Sequence, residues 1–239
     1  MPPLLSAIKI FYKGNMRHVC LSSIFAAALV AAIPVSLYAA APSKELAAPT
    51  IRPSFSDSER ADLKRVSTYL NALKSVQGRF TQVNGDGKTE QGAFYLKKPG
   101  RVRFEYQKPN PNIVVADGTT LAVENSDLKT TDRYPITTSP LRLLLSDNMD
   151  LSLDPRVSAI KREAGAVSVT AREASGPATG SITLTLADSG GNLELRQWQV
   201  VDAQGARTTL VVTEMRQVAD IPAALFVIRD LSLFKRNGR

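Results

Sequence analysis

The side chains most used for nucleophilic, redox or metal chemistry are almost absent. The 239 residues hold one His and one Cys. These are His18 and Cys20, both at the start of an apolar N-terminal stretch. Met1 to Arg17 carries Lys9, Lys13 and Arg17 with no acid, Val19 to Val35 is almost wholly apolar, and Ala39-Ala40-Ala41 follows. This is the layout of a secretory signal peptide, residues 1–41, removed on export to the periplasm. Ser22, Ser23 and Pro34 suit a cleaved segment better than a permanent span, and an uncleaved anchor is the other reading. Leu37 and Ala39 favour cutting after Ala39 and Pro42 disfavours cutting after Ala41, so the exact bond stays open. Cys20 sits too early to be a lipidated cysteine. Loss of residues 1–41 leaves 27 basic against 22 acidic residues and neither His nor Cys. Disulfides, Cys or His metal ligands, a Ser-His-Asp triad and a Cys-His pair are thereby excluded.

What remains is charge. Lys97, Lys98, Arg101 and Arg103 lie close together among Phe94, Tyr95, Phe104 and Tyr106. Basic residues interleaved with aromatics suit single-stranded nucleic acid, but export argues against that partner. A solvated strand face and a site for a lipid phosphate or another polar ligand group both stay open. Asp147, Asp150 and Asp154 follow no fixed ligand spacing and read as a polar loop rather than a calcium site, and Glu163 and Glu173 read as surface strand residues. Ser and Thr are abundant without a base to activate them, and no Gly-rich loop opens a helix as a phosphate cradle requires. No metal, cofactor or enzymatic activity is expected.

The elements that would position these residues are mostly strands. Residues 42–55 form a Pro- and Ala-rich flexible leader, and 56–239 form one domain. Ser56 or Asp57 can cap a helix with Glu59 in its first turn, and Leu63, Val66, Leu70 and Leu73 recur at helical spacing up to about Ser75. Lys64, Arg65, Ser67, Thr68 and Asn71 take the other face. After Val76 the period becomes two: Phe80 and Gln82, then Phe94 and Leu96, then Val102, Phe104 and Tyr106, broken by Asn84-Gly85-Asp86-Gly87 and Pro99-Gly100. Ile113 to Ala116 and Leu121 to Val123 continue the series. Ser139-Pro140 starts a short, leucine-rich helix. Strands resume at Val157–Arg162, Ala166–Arg172, Ser181–Ala187, Leu193–Val201 and Arg207–Met215. Pro222 to Phe234 is a tail with a brief helical turn. The fold class is α+β: about ten or eleven antiparallel strands in an incomplete barrel covered by two or three helices.

A curled sheet of this kind has a concave apolar face, covered by the Leu63–Leu73 helix and the Leu141–Leu145 helix. Tight packing makes this a plain core, whereas loose packing makes it a cavity for a hydrophobic ligand. Patterning alone does not separate the two.

The ordered segments Leu73-Lys74-Ser75, Val76-Gln77-Gly78-Arg79-Phe80-Thr81-Gln82, Gly92 to Phe104, Val115 to Leu121 and Ser139-Pro140-Leu141 resemble the periplasmic outer-membrane lipoprotein carrier family (LolA). The resemblance spans about residues 58–234. It implies a monomeric, non-enzymatic carrier whose apolar interior takes the acyl chains of lipoproteins. Such a carrier receives its cargo from an inner-membrane ABC transporter and delivers it to an outer-membrane receptor. Phe80, Phe94, Leu96, Val102, Phe104, Ile113, Leu121, Leu141, Leu144 and Leu145 are then expected to line or cover the cavity. The family places an Arg before the Pro of its Lys-Arg-Pro segment, where it tethers the lid. Here that position is Lys98, which keeps the charge without the planar fork, and Arg101 or Arg103 can assist. Val102 stands where some members carry an aromatic. An envelope-stress sensor or regulatory domain, or another lipid-binding domain, built on the same half-barrel is the alternative.

Overall fold

The computed structural model describes residues 54–173, 179–202 and 204–233. The expected signal segment and all but the end of the leader lie outside the described residues, as does Phe234. The first helix, α1, spans Asp57–Ala72. Ser56 caps it, its hydroxyl accepting from the Glu59 amide while the Glu59 carboxylate accepts from the Ser56 amide at 2.8 Å, the reciprocal arrangement that satisfies two orphan donors. Leu63, Val66 and Leu70 are fully buried.

Eleven strands follow: β1 (Ser75–Val83), β2 (Thr89–Lys97), β3 (Arg101–Tyr106), β4 (Asn112–Asp117), β5 (Thr120–Asn125), β6 (Thr130–Pro135), β7 (Val157–Glu163), β8 (Ala166–Glu173), β9 (Gly180–Ser189), β10 (Asn192–Asp202) and β11 (Arg207–Gln217). They form one antiparallel sheet in the order β6-β5-β4-β3-β2-β1-β11-β10-β9-β8-β7. The first and last strands pair, and the two edges, β6 and β7, are neighbours in sequence that do not pair. The barrel is therefore open along one seam. The chain between the edges carries a 3₁₀ turn (Ile136–Thr138) and α2, the single helical turn Arg142–Leu145. Ser139 and Pro140 do not open the α-helix as expected: its N-cap is Leu141, with no side-chain cap bond, and the Ser139 hydroxyl accepts from the Leu141 amide at 3.3 Å in the turn before it.

A second layer lies outside. Residues 220–231 strap across the outer face of β3–β6, with a 3₁₀ turn at Ala223–Phe226. Ile221 and Phe226 are buried there. Lys97 Nζ reaches Asp220 at 2.6 Å, Arg103 donates to the Leu225 carbonyl at 3.3 Å, and Arg229 pairs with the buried Glu124 at 2.7 Å.

Two strand glycines are sites of close approach. A Cβ on Gly78 would run into the Glu214 carbonyl and the Phe94 ring, and one on Gly92 into the Glu105 carbonyl and the Phe80 ring. The missing side chains let those aromatics lie flat on the neighbouring strand. Gly78→Ala and Gly92→Ala are each expected to destabilise the fold by about 1–3 kcal/mol or more, read as a lower urea midpoint at unchanged slope.

Candidate functional site

The register sorts the inner face into rows. Val76, Leu96, Val102, Ala116 and Leu121 stand side by side across β1–β5, and Gly78, Phe94, Phe104, Val114 and Val123 form the next row. Phe80 and Tyr106 follow, their rings edge to face at 5.3 Å. From the opposite half-sheet Trp198 reaches over, 6.4 Å from Phe94 and 6.1 Å from Phe104. Ile182, Leu184, Leu186, Leu210 and Val212 complete the wall and are buried with it.

Of the expected lining residues, Phe80, Phe94, Leu96, Val102, Phe104, Leu121, Leu141, Leu144 and Leu145 belong to this single cluster, none more than 5% exposed. Ile113 does not. It stands between Glu105 and Glu124 on the outer face, and Val114 occupies the inner position. The run Ile113 to Ala116 is apolar throughout because Val115 is buried on the outside beside the strap. Trp198 and the β9 leucines were not among the expected lining. The alternation of Ile182, Leu184 and Leu186 with Thr183 and Thr185 is the signal that points to them.

The two covers are held differently. α1 is anchored to the far half-sheet: Asp62 accepts from Arg65 at 3.0 Å and from Arg162 of β7, Arg65 reaches Asp188 at 3.0 Å, and Tyr69 Oη accepts from the Leu195 amide at 2.8 Å. α2 bridges the halves. Arg142 pairs with Glu173 of β8 at 2.5 Å, and the Leu145 carbonyl accepts from Gly100 in the β2–β3 turn at 3.0 Å. The connector beyond α2 then runs along α1. Ser67, Asn71 and Lys74 hold Leu151, Met149 and Asp147: Ser67 Oγ accepts from the Leu151 amide, Asn71 makes two bonds to the Met149 backbone, and Lys74 pairs with Asp147 at 2.5 Å. Ser67 and Asn71 of α1, with Lys74 just beyond its end, thus meet alternate residues of the connector. Ser67 and Asn71 therefore clasp backbone rather than face water. Asp150 and Asp154 are taken up by Ser152 and Arg156. Among the described residues no three His, Cys, Asp or Glu converge as metal ligands.

Lys98, in the β2–β3 turn, is buried, and its Nζ donates to the Leu70 carbonyl at 2.8 Å. It thus holds the C-terminal turn of α1, at the negative end of the helix dipole, while α2 is held to the same turn by Gly100. Arg101 turns to the Asp117 carbonyl and Arg103 to the outer strap, so neither shares this bond. Burial pushes the Lys98 ammonium down to about 8; Asp147 opposes that shift and Lys74 adds to it.

A family model described as "Outer membrane lipoprotein carrier protein LolA" matches residues 71–229. The chain belongs to this family. The outer-membrane lipoprotein carrier protein of Chromobacterium violaceum is 29% identical over 198 residues, 80% of this chain and 90% of its own length. That of Cupriavidus pinatubonensis is 29% identical over 176 residues, 68% of this chain and 80% of its own. Among solved structures, a LolA superfamily protein from Nitrosomonas europaea aligns over 70% of this chain and 97% of its own, with 10% identity and a TM-score of 0.40.

The depressed Lys98 value has a signed consequence. Between about 8 and the ordinary lysine range the folded chain binds fewer protons than the unfolded one, so this group raises stability as pH increases through that window. The cost of its buried charge is complete below it. The thermal midpoint of wild type relative to that of Lys98→Met should therefore rise between neutral pH and about 10. A constant gap would show that Lys98 keeps an ordinary pKa.

Proposed function

We propose that this chain is a periplasmic carrier that binds the acyl chains of lipoproteins against the inner face of the half-barrel and moves them from the inner to the outer membrane. Its expected partners are an inner-membrane lipoprotein-releasing ABC transporter and an outer-membrane lipoprotein receptor. Membership of the carrier family supports the reading. The observation that carries it is the construction of α2, a single turn of leucines laid over an aromatic-lined face and tied to each half-sheet at its rim.

In this structure the apolar face is occupied by the chain's own side chains. Loading is then an exchange in which a guest takes the place of α2. Burying Leu141, Leu143, Leu144 and Leu145 is worth roughly 1.5–3 kcal/mol apiece, and each guest methylene about 0.8 kcal/mol. About ten methylenes thus offset the withdrawal of the whole cover on the same scale. Near balance is what transport requires, because cargo must be accepted from one membrane and surrendered at the next. A lipoprotein with several long chains would otherwise cost tens of kcal/mol to bring into water. The ties on α2 are weak individually. The Arg142–Glu173 and Lys74–Asp147 pairs are both partly exposed, where water screens the attraction and an ion pair contributes little. α1 carries more bonds, several of them less exposed, so α2 is the cover that moves. Lys98 steadies α1 while it does.

Purified protein lacking residues 1–41, added to inner-membrane vesicles that hold an acylated lipoprotein together with its releasing transporter and ATP, should bring that lipoprotein into the supernatant as a soluble complex. The same lipoprotein without acyl groups should not be retained by the carrier. Acylated lipoprotein that stays with the vesicles, while the transporter hydrolyses ATP, would refute the function.

A further inference from the structure

The inner face is not apolar along its whole length. Beyond the row of Phe80 and Tyr106 it changes character abruptly. Gln82 is fully buried, and Asn84 and Asn112 nearly so. Gln82 Oε1 accepts from the Tyr106 hydroxyl at 2.8 Å, and its amide nitrogen donates to Asn84 at 2.7 Å and to Glu90 at 3.4 Å. Glu90 also accepts from Asn84 at 3.3 Å and from Asn110 at 2.8 Å. Asn110 in turn accepts from the Asn112 side chain at 2.5 Å, and Asn112 from Asn125 at 2.8 Å. The network crosses β1 to β5 without a break. It lies at the end of these strands remote from Lys98 and the C-terminal turn of α1, about 13 Å along β3 from the Val102 row at the usual strand rise.

We propose that this layer is a polar floor that fixes how much hydrocarbon a guest can bury, and so selects acyl chains by length. The inference rests on the carrier reading and adds a specificity determinant to it. The physical reason is an asymmetry. A methylene entering among Phe80, Phe94, Phe104 and Trp198 exchanges one apolar contact for another. A methylene entering the floor must part the buried amides of Gln82, Asn84 and Asn112 from their partners, and no guest hydrocarbon can replace the lost bonds. Tyr106 marks the boundary: its ring packs on Phe80 and its hydroxyl belongs to the network. The floor needs no guest contact to form, so it exists before loading as a fixed stop.

The test is a binding series with saturated fatty acids from octanoate to stearate, followed by calorimetry on the protein lacking residues 1–41. In wild type each added methylene should tighten binding about fourfold until the chain end meets the floor, after which affinity should level. In the Gln82→Leu/Tyr106→Phe variant the levelling should move to longer chains. A gain that continues to stearate in wild type, or a levelling that the folded variant leaves in place, overturns the floor. A second measurement uses wild type alone. A chain of the levelling length with a nitroxide at its end should broaden the NMR side-chain amide signals of Gln82 and Asn112, and unbroadened signals count against the proposal. Failure to bind any chain, together with failure in the vesicle experiment, removes the carrier reading instead.

Discussion

Everything in this molecule follows from a sheet that is apolar on its concave side and does not close. β6 and β7 do not pair with each other, so no row of backbone hydrogen bonds seals the seam. The aromatic face must be shielded from water by whatever joins those two edges. Only one turn of that joining segment, residues 136–156, is α-helical. Its leucines bury a large area relative to the few bonds that fix their backbone, which makes the cover effective and cheap to remove.

The distribution of polar ties gives the two covers different parts. α1 is capped at its start, joined by ion pairs to β7 and β9, held at Tyr69 by β10, and bonded at Leu70 by Lys98. Its Ser67 and Asn71, with Lys74 just beyond its end, form a rail for the connector that leaves α2. Under the proposed exchange, α2 would pull against a fixed helix rather than carry it along. The outer strap performs a complementary task. Val115 and Ala122 are buried on that outer side, so the half-sheet that bears most of the aromatic wall is packed on both faces.

The sequence made much of this legible, and the places where it misled have a common cause. The α1 cap, the period-two rows of β1 to β3 and the connecting turns all appear where one face is buried and the other wet. Ile113 reads as inward from the sequence because β4 is buried on both faces, and alternation carries no direction when neither face is solvated. β6 was not anticipated because Tyr134 is its only buried side chain; its place is fixed by pairing with β5. Ser67 and Asn71 looked like solvent-facing helix positions, and nothing local announces the backbone that they bind some 80 residues away. The polar end of the inner face was equally silent, since Gln82 continues the alternation of Phe80 as an apolar residue would.

The chain contains one tryptophan, and Trp198 stands in the middle of the aromatic wall. Its fluorescence is therefore a direct report on whether hydrocarbon reaches that wall. Loading the protein with a lipoprotein whose acyl chains carry bromine should quench Trp198 strongly, relative to the same lipoprotein with unlabelled chains. Equal emission from the two complexes, with cargo demonstrably bound, would mean that the acyl chains rest elsewhere and that the concave face is only a core.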